Sequence, residues 1–429
     1  MRDLPTHTLA VRPVVPPRGG MSELFDYTLF VGPAACFHHS LDVMTRLDRV
    51  SALCLDDAQI ALGQTQRRID QPVDELMAEV QPPIASLRIL TSCVSAFLGA
   101  DFRAVARGIA QRHGIVCVHE QNNRMTVAGR CDKGLVSHTG DAAGFAAGLL
   151  DCADVLAGGA AGGAGAGAAD GGAGTDGEDA RPVLVFLSEA LHLDPRNELH
   201  EVAQQAGCAR VQTLREWSEP AGLARARRAR LIVVADAQCE ELAGQASRRW
   251  NVPCVHLPLV YDLEEIDAAY RALGEALGTP FDVADARARA QESVERARRA
   301  VGARALRLDL AGASRPWRLA KALLDAGFDV ERIGCSRADR ARPVAHDADY
   351  EALLAAWPQV AGRIAEEEFI HNKSKLVDVA AGTARETGTA GAAGAADAAG
   401  AAQPAEGECF GYFALECCMN AVEREAMRR

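Results

Sequence analysis

Short apolar runs of five or six residues alternate with longer stretches of helical period through most of the chain. That alternation predicts βαβ units and parallel sheets. A first unit reads as strands at 27–31, 87–91 and 115–119, with helices around 72–80, 101–112 and 141–152. Asp101 stands where the N-cap of the second of these helices belongs. A second unit runs through three buried strands, Val183–Leu187, Leu231–Val234 and Val252–Leu257. A long Ala/Arg/Glu helix at about 283–301 leads to a third: strand 305–310, helix 315–326 and strand 330–334. A last strand is expected at 375–379, and an apolar helix from Phe410 to Met427 closes the chain. The expected fold class is α/β, with three Rossmann-like parallel-sheet units around a central cleft.

Two tracts interrupt the pattern. Residues 158–177 and 380–406 are almost pure Gly, Ala and small polar residues, a composition that cannot bury enough apolar surface to offset its ordering entropy. They divide the chain into expected segments: a disordered leader 1–21, with Met21 as an alternative start; a first Rossmann-like unit 22–157; a linker 158–180; a second unit 181–281; a third 282–379; a low-complexity loop 380–407; and the closing helix 408–429.

Composition narrows the function classes. A net charge of −12 over 429 residues speaks against a nucleic-acid partner, which needs a concentrated basic surface. The chain has no uninterrupted apolar run of about 18 residues and no signal-peptide core at its start, so a cytoplasmic protein with no membrane partner is expected. In that compartment its 13 cysteines read as thiols or metal ligands and not as a disulfide framework. There is no Cys-x-x-Cys pair.

Two thiols stand out by position. Cys36 follows the strand Tyr27–Val31 through a Gly32-Pro33 turn, and Cys93 follows the strand Leu87–Thr91. Ligands of open α/β sheets collect outside the carboxyl ends of strands. A helix start also lowers a thiol's pKa and favours the metal-binding thiolate. Two soft donors at neighbouring strand ends suit an iron–sulfur cluster; small buried side chains are the plain alternative. Cys54, just ahead of the acidic turn Asp56-Asp57, is a secondary ligand candidate. His38 and His39 follow the first thiol, and His119, Glu120 and Arg124 follow a third strand. His38, His119 and Glu120 are candidates for a catalytic role in proton supply or a substrate wall, with ordinary polar loops as the alternative. Cys117, Cys208, Cys254, Cys335 and the pair Cys417-Cys418 read as core.

The order of these features resembles nitrogenase component 1 and the nitrogenase-like reductases. The matching letters are Gly32, Pro33 and Cys36; Asp57, Ile60 and Gly63; Cys93; and Leu98, Gly99 and Asp101, with weaker likeness at Trp250–Pro253, Ala326–Val330 and Gly411–Ala414. The resemblance implies a dimer, of two copies or of this chain with a homologous component-1-like subunit. Cys36 and Cys93 from each subunit would hold a [4Fe–4S] iron–sulfur cluster across the interface. It also implies an ATP-dependent iron protein as electron donor, because this chain has no Gly-x-x-x-x-Gly-Lys-Ser/Thr loop of its own. The departures exclude dinitrogen as substrate. Residues 1–35 lack the family's upstream cysteine; Ala235 and Asp236 stand where a cofactor thiol belongs, with Cys239 late; and the tract 380–406 replaces the segment of the cofactor histidine. An oxidoreductase component acting on an unidentified substrate is the leading expectation. The alternative is a scaffold for assembly of a nitrogenase-type metallocluster without turnover of its own.

Overall fold

The computed structural model describes residues 9–11, 24–33, 36, 49–56, 69–92, 101–122, 142–162, 181–188, 192–236, 239–309, 315–335, 348–366 and 410–427. In chain order the strands are β1 (Leu9–Val11), β2 (Tyr27–Gly32), β3 (Val50–Cys54), β4 (Ser86–Ser92), β5 (Val116–Asn122), β6 (Leu184–Leu187), β7 (Val211–Thr213), β8 (Leu231–Val234), β9 (Cys254–His256), β10 (Leu306–Asp309), β11 (Val330–Cys335) and β12 (Ile364–Glu366). They form three four-stranded sheets, ordered β3-β2-β4-β5, β7-β6-β8-β9 and β1-β10-β11-β12. Every pairing is parallel. This is the α/β class that the alternating pattern predicts.

The chain divides into two compact units, one of residues 16–289 and 406–414, the other of 1–15, 290–405 and 415–429. The larger holds the first two sheets. Its helices are α1 (Asp70–Glu79), α2 (Phe102–His113), α3 (Ala142–Gly162), α4 (Leu199–Gln205), α5 (Pro220–Ala226), α6 (Glu240–Trp250) and α7 (Leu263–Leu277). One core cluster runs from Leu24 to Val252 and takes side chains from both sheets, including Leu87, Ile89, Val185 and Ile232. The central strands β2, β4, β6 and β8 are buried along their whole length. That burial is why they read in sequence as continuous apolar runs.

The other unit holds β1, β10, β11 and β12, with α9 (Pro316–Asp325) and α10 (Ala348–Ala356) beside them. Asp349 is buried and receives both Arg315, through two hydrogen bonds of 2.8 Å, and Arg318 at 2.7 Å. The helices α8 (Ala284–Val301) and α11 (Gly411–Met427) complete the chain.

Several elements differ from the sequence reading. Leu9–Val11 lies inside the expected leader, yet it pairs in parallel with Leu306–Leu308. α3 continues to Gly162, ten residues past the expected end and into the first Gly/Ala tract, because alanine is the best helix former. The strand expected at 375–379 lies outside the described residues, and β3, ahead of the acidic turn, is a strand that the apolar pattern does not predict. β3 is an edge strand, only part-buried, and its apolar signal is correspondingly weak.

Asp101 does cap α2: its carboxylate accepts from the Ala104 N–H at 3.0 Å. Asp101→Ala should cost about 1 kcal/mol. The result expected is an about fivefold faster amide exchange in the first turn of α2, read by mass spectrometry; unchanged exchange there would contradict the cap.

Candidate functional site

In the first sheet the chain leaves β2 toward β3 on one side and leaves β4 toward β5 on the other. The reversal makes the carboxyl ends of β2 and β4 a topological switch point, where open α/β sheets form their ligand crevice. β2 ends at Gly32, which has no room for a side chain: a Cβ there would lie 2.8 Å from Ser92 Oγ on β4. Pro33 then ends the strand because it has no N–H to offer. The Cys36 N–H donates to Pro33 O at 3.0 Å, turning the chain back over the strand end. The Cys36 thiol is half-buried and packs on the small apolar cluster of Phe30 and Leu90.

The neighbouring strand ends supply the remaining candidates. Cys54 closes β3 in register with Gly32 and is exposed. β4 ends at Ser92. Cys93, the next residue in sequence, lies outside the described residues, as do His38, His39 and Arg124. Among the described residues no three His, Cys, Asp or Glu side chains converge to hold a metal. The candidate ligands described at these strand ends, Cys36 and Cys54, are thiols, the right chemistry for iron–sulfur ligation. Their number is short of four unless Cys93 and a second subunit contribute.

His119 and Glu120 are successive residues of β5, so their side chains leave opposite faces of the sheet. His119 stacks on Phe102, with ring centroids 5.1 Å apart, and pairs through Nε2 with Thr91 Oγ1 at 2.8 Å. Glu120 faces the Cys36 side. It is in register with Leu90 and accepts from Arg88 Nη1 at 3.2 Å. Both partners are almost wholly enclosed, Arg88 being 1% exposed and Glu120 4%. Burial pushes the Glu120 carboxyl above its ordinary range, against the pull of Arg88. Arg88 Nε donates to Thr28 Oγ1 at 3.2 Å, whereas its Nη2 has no partner among the described residues.

Sequence reasoning noted Glu120 but missed this ion pair. A signal was present: one arginine inside the apolar run Leu87-Arg88-Ile89-Leu90 demands a buried acceptor.

The family model for Nitrogenase component 1 type Oxidoreductase matches residues 27–395. The chain belongs to the nitrogenase component 1 type oxidoreductases. A solved structure titled "Nitrogenase Cp1 at pH 6.5" superposes with a TM-score of 0.52 at 13% identity, covering 88% of this chain and 81% of the other. A second, "Nitrogenase Cp1 at pH 5", gives 0.43 at 14% identity over 83% and 72%. The first likeness extends to the fold and no further. No curated protein matches the sequence. No helix among the described residues is long and apolar enough to cross a membrane.

Other cysteines sort by strand position. Cys117, Cys152, Cys208 and Cys239 are buried, and burial raises the thiols of Cys117, Cys152 and Cys208 above the usual range, that of Cys152 to about 11. Such thiols are inert packing residues. Cys254, read as core, is exposed; it lies on β9, the edge strand of the second sheet. Cys417 and Cys418 are half-buried, and the side chain of Cys335 lies outside the described residues.

Proposed function

We propose that this member of the family holds an iron–sulfur cluster of [4Fe–4S] type through Cys36 and Cys93, completed by the same two thiols of a second copy or of a homologous component-1-like subunit. It receives single electrons from an ATP-dependent iron protein and passes them to a substrate other than dinitrogen. The observation that carries this reading is the placement of Cys36. Its thiol sits half-buried at the switch point of the first sheet, beside the end of the strand after which Cys93 follows in sequence. The exposed Cys54 on the adjacent strand end is the secondary ligand candidate.

The cluster would supply low-potential one-electron transfer; this chain would supply thiolate donors and an apolar seat at Phe30 and Leu90. Cys239 supports the exclusion of dinitrogen, because it is buried at the start of α6, beyond the end of β8. The scaffold reading shares the same thiols and differs in lacking turnover.

Anaerobically purified protein should carry about four iron and four sulfide per dimer. Both should be lost together in Cys36→Ala while circular dichroism stays that of wild type. Folded wild-type protein without iron contradicts the reading. Turnover with a P-loop iron protein and reductant, against transfer of a labelled cluster to an apo-enzyme, separates reductase from scaffold.

A further inference from the structure

The buried pair beneath Cys36 holds no thiolate, and the cluster reading leaves it without a role. An ion pair sealed inside a sheet contributes little net stability, because desolvation of both charges offsets their attraction, and two apolar side chains of similar size often serve a fold as well. Its position is specific. Glu120 is in register with Leu90, and Leu90 with Phe30; on these two side chains Cys36 packs. Arg88 precedes Leu90 by two residues on the same face and spans the strand from Thr28 to Glu120. Thus the two charges lie in the side-chain rows next to the seat of Cys36.

Arg88 Nη2 is buried, and among the described residues neither of its two N–H groups has a partner. The arginine therefore has donor capacity that the described residues do not use. In so dry an environment a unit charge acts over a longer range than at the surface.

We infer that the Arg88–Glu120 pair is a charge-balanced element beside an iron–sulfur cluster held at the ends of β2 and β4, in which each charge offsets the other's effect on the cluster's reduction potential; this rests on the cluster reading above. Reduction brings one electron to the site from a low-potential one-electron donor, and no covalent bond changes. The guanidinium favours the more negative reduced state and the carboxylate disfavours it, so in the intact pair they largely cancel. Neutralising either partner leaves the other uncompensated, and the two neutralisations act in opposite directions.

Cluster-loaded wild type, Glu120→Gln, Arg88→Gln and the double variant Arg88→Met/Glu120→Leu are titrated with dithionite at fixed pH, following the electron paramagnetic resonance signal of the reduced cluster. Glu120→Gln should raise the midpoint by at least a tenfold change in the reduction equilibrium, about 59 mV for one electron. Arg88→Gln should lower it, and the double variant should stay at the wild-type value.

A merely structural pair would change thermal stability without opposite shifts in potential. Shifts of the same sign, or loaded single variants at the wild-type midpoint, overturn the inference alone. If one single variant fails to load, the sign and size of the other decide. Wild type without iron and sulfide overturns the cluster reading and this inference with it.

Discussion

Gly222→Ala should destabilise the larger unit by about 3 kcal/mol, the upper range for overpacking. Gly222 lies in α5, where the helix crosses the short 3-10 turn Leu214–Ser218 at backbone contact. A Cβ there would stand 1.7 Å from Glu216 O and 2.6 Å from the Glu216 carbonyl carbon. No rotamer relieves a clash with backbone, so the turn or the helix must move. The turn is held by a Thr213/Glu216 capping box, by Arg210 and Arg225 on Glu216, and by the fully buried Leu214 and Trp217. The Gly222 carbonyl accepts from the buried Gln212 at 2.7 Å and would be pulled off that bond. Elsewhere in a helix the same change stabilises by up to about 1 kcal/mol. The sign of the effect is therefore diagnostic. Urea unfolding followed by tryptophan fluorescence suits the site, because the Trp217 and Trp250 rings lie 5.3 Å apart. A midpoint at or above that of wild type would contradict the close approach.

Arg88→Met should cost about 3–5 kcal/mol, because it leaves the Glu120 carboxyl enclosed without its cation. Thr28 Oγ1 would lose its donor as well. Replacing both charges, in Arg88→Met/Glu120→Leu, should return most of that loss and bring the protein to within about 1 kcal/mol of wild type, since neither buried charge then remains. With wild type and Glu120→Leu, the two variants complete a double-mutant cycle, and a strong coupling is expected for groups in direct contact. Chemical denaturation of the cluster-free protein measures it without any contribution from the metal. A single variant as mild as the double would mean that water reaches Glu120.

How much of this was legible in the letters depends on burial. β2 and β4 lie within two residues of the expected bounds because each is buried along its whole length, and most of their side chains are apolar. β3, by contrast, alternates between part-buried and exposed on a sheet edge, and β1 and β7 have only three residues each. Runs so short carry no period. Cys254 shows the same limit from the other side: its apolar neighbours suggested core, but β9 borders its sheet and turns the thiol outward.

The strand order β3-β2-β4-β5, which makes a switch point between Cys36 and the end of β4, is a tertiary fact with no local signature. So is the pairing of Arg88 with Glu120, residues of different strands whose registers only the sheet defines. What the sequence carried well was the thiol just beyond the end of β2, because Pro33 has a fixed φ and no N–H with which to continue the strand. Glu198 was missed altogether. It is buried and accepts from Tyr270 Oη at 2.7 Å and from the Tyr412 and Phe413 N–H groups at 2.6 and 3.2 Å, tying down the start of α11. Nothing in Asn197-Glu198-Leu199 announces a partner more than two hundred positions away.

The pairing of Leu9 with Leu306 has a consequence for biogenesis. On a ribosome the first edge of that sheet emerges roughly 300 residues before its neighbour, a wait of about 15–60 s at ordinary elongation rates. During translation this strand has no mate, and the sheet's register is set only when β10 arrives. Nascent-chain proteolysis should accordingly find the N-terminal strand cleavable until β10 has emerged.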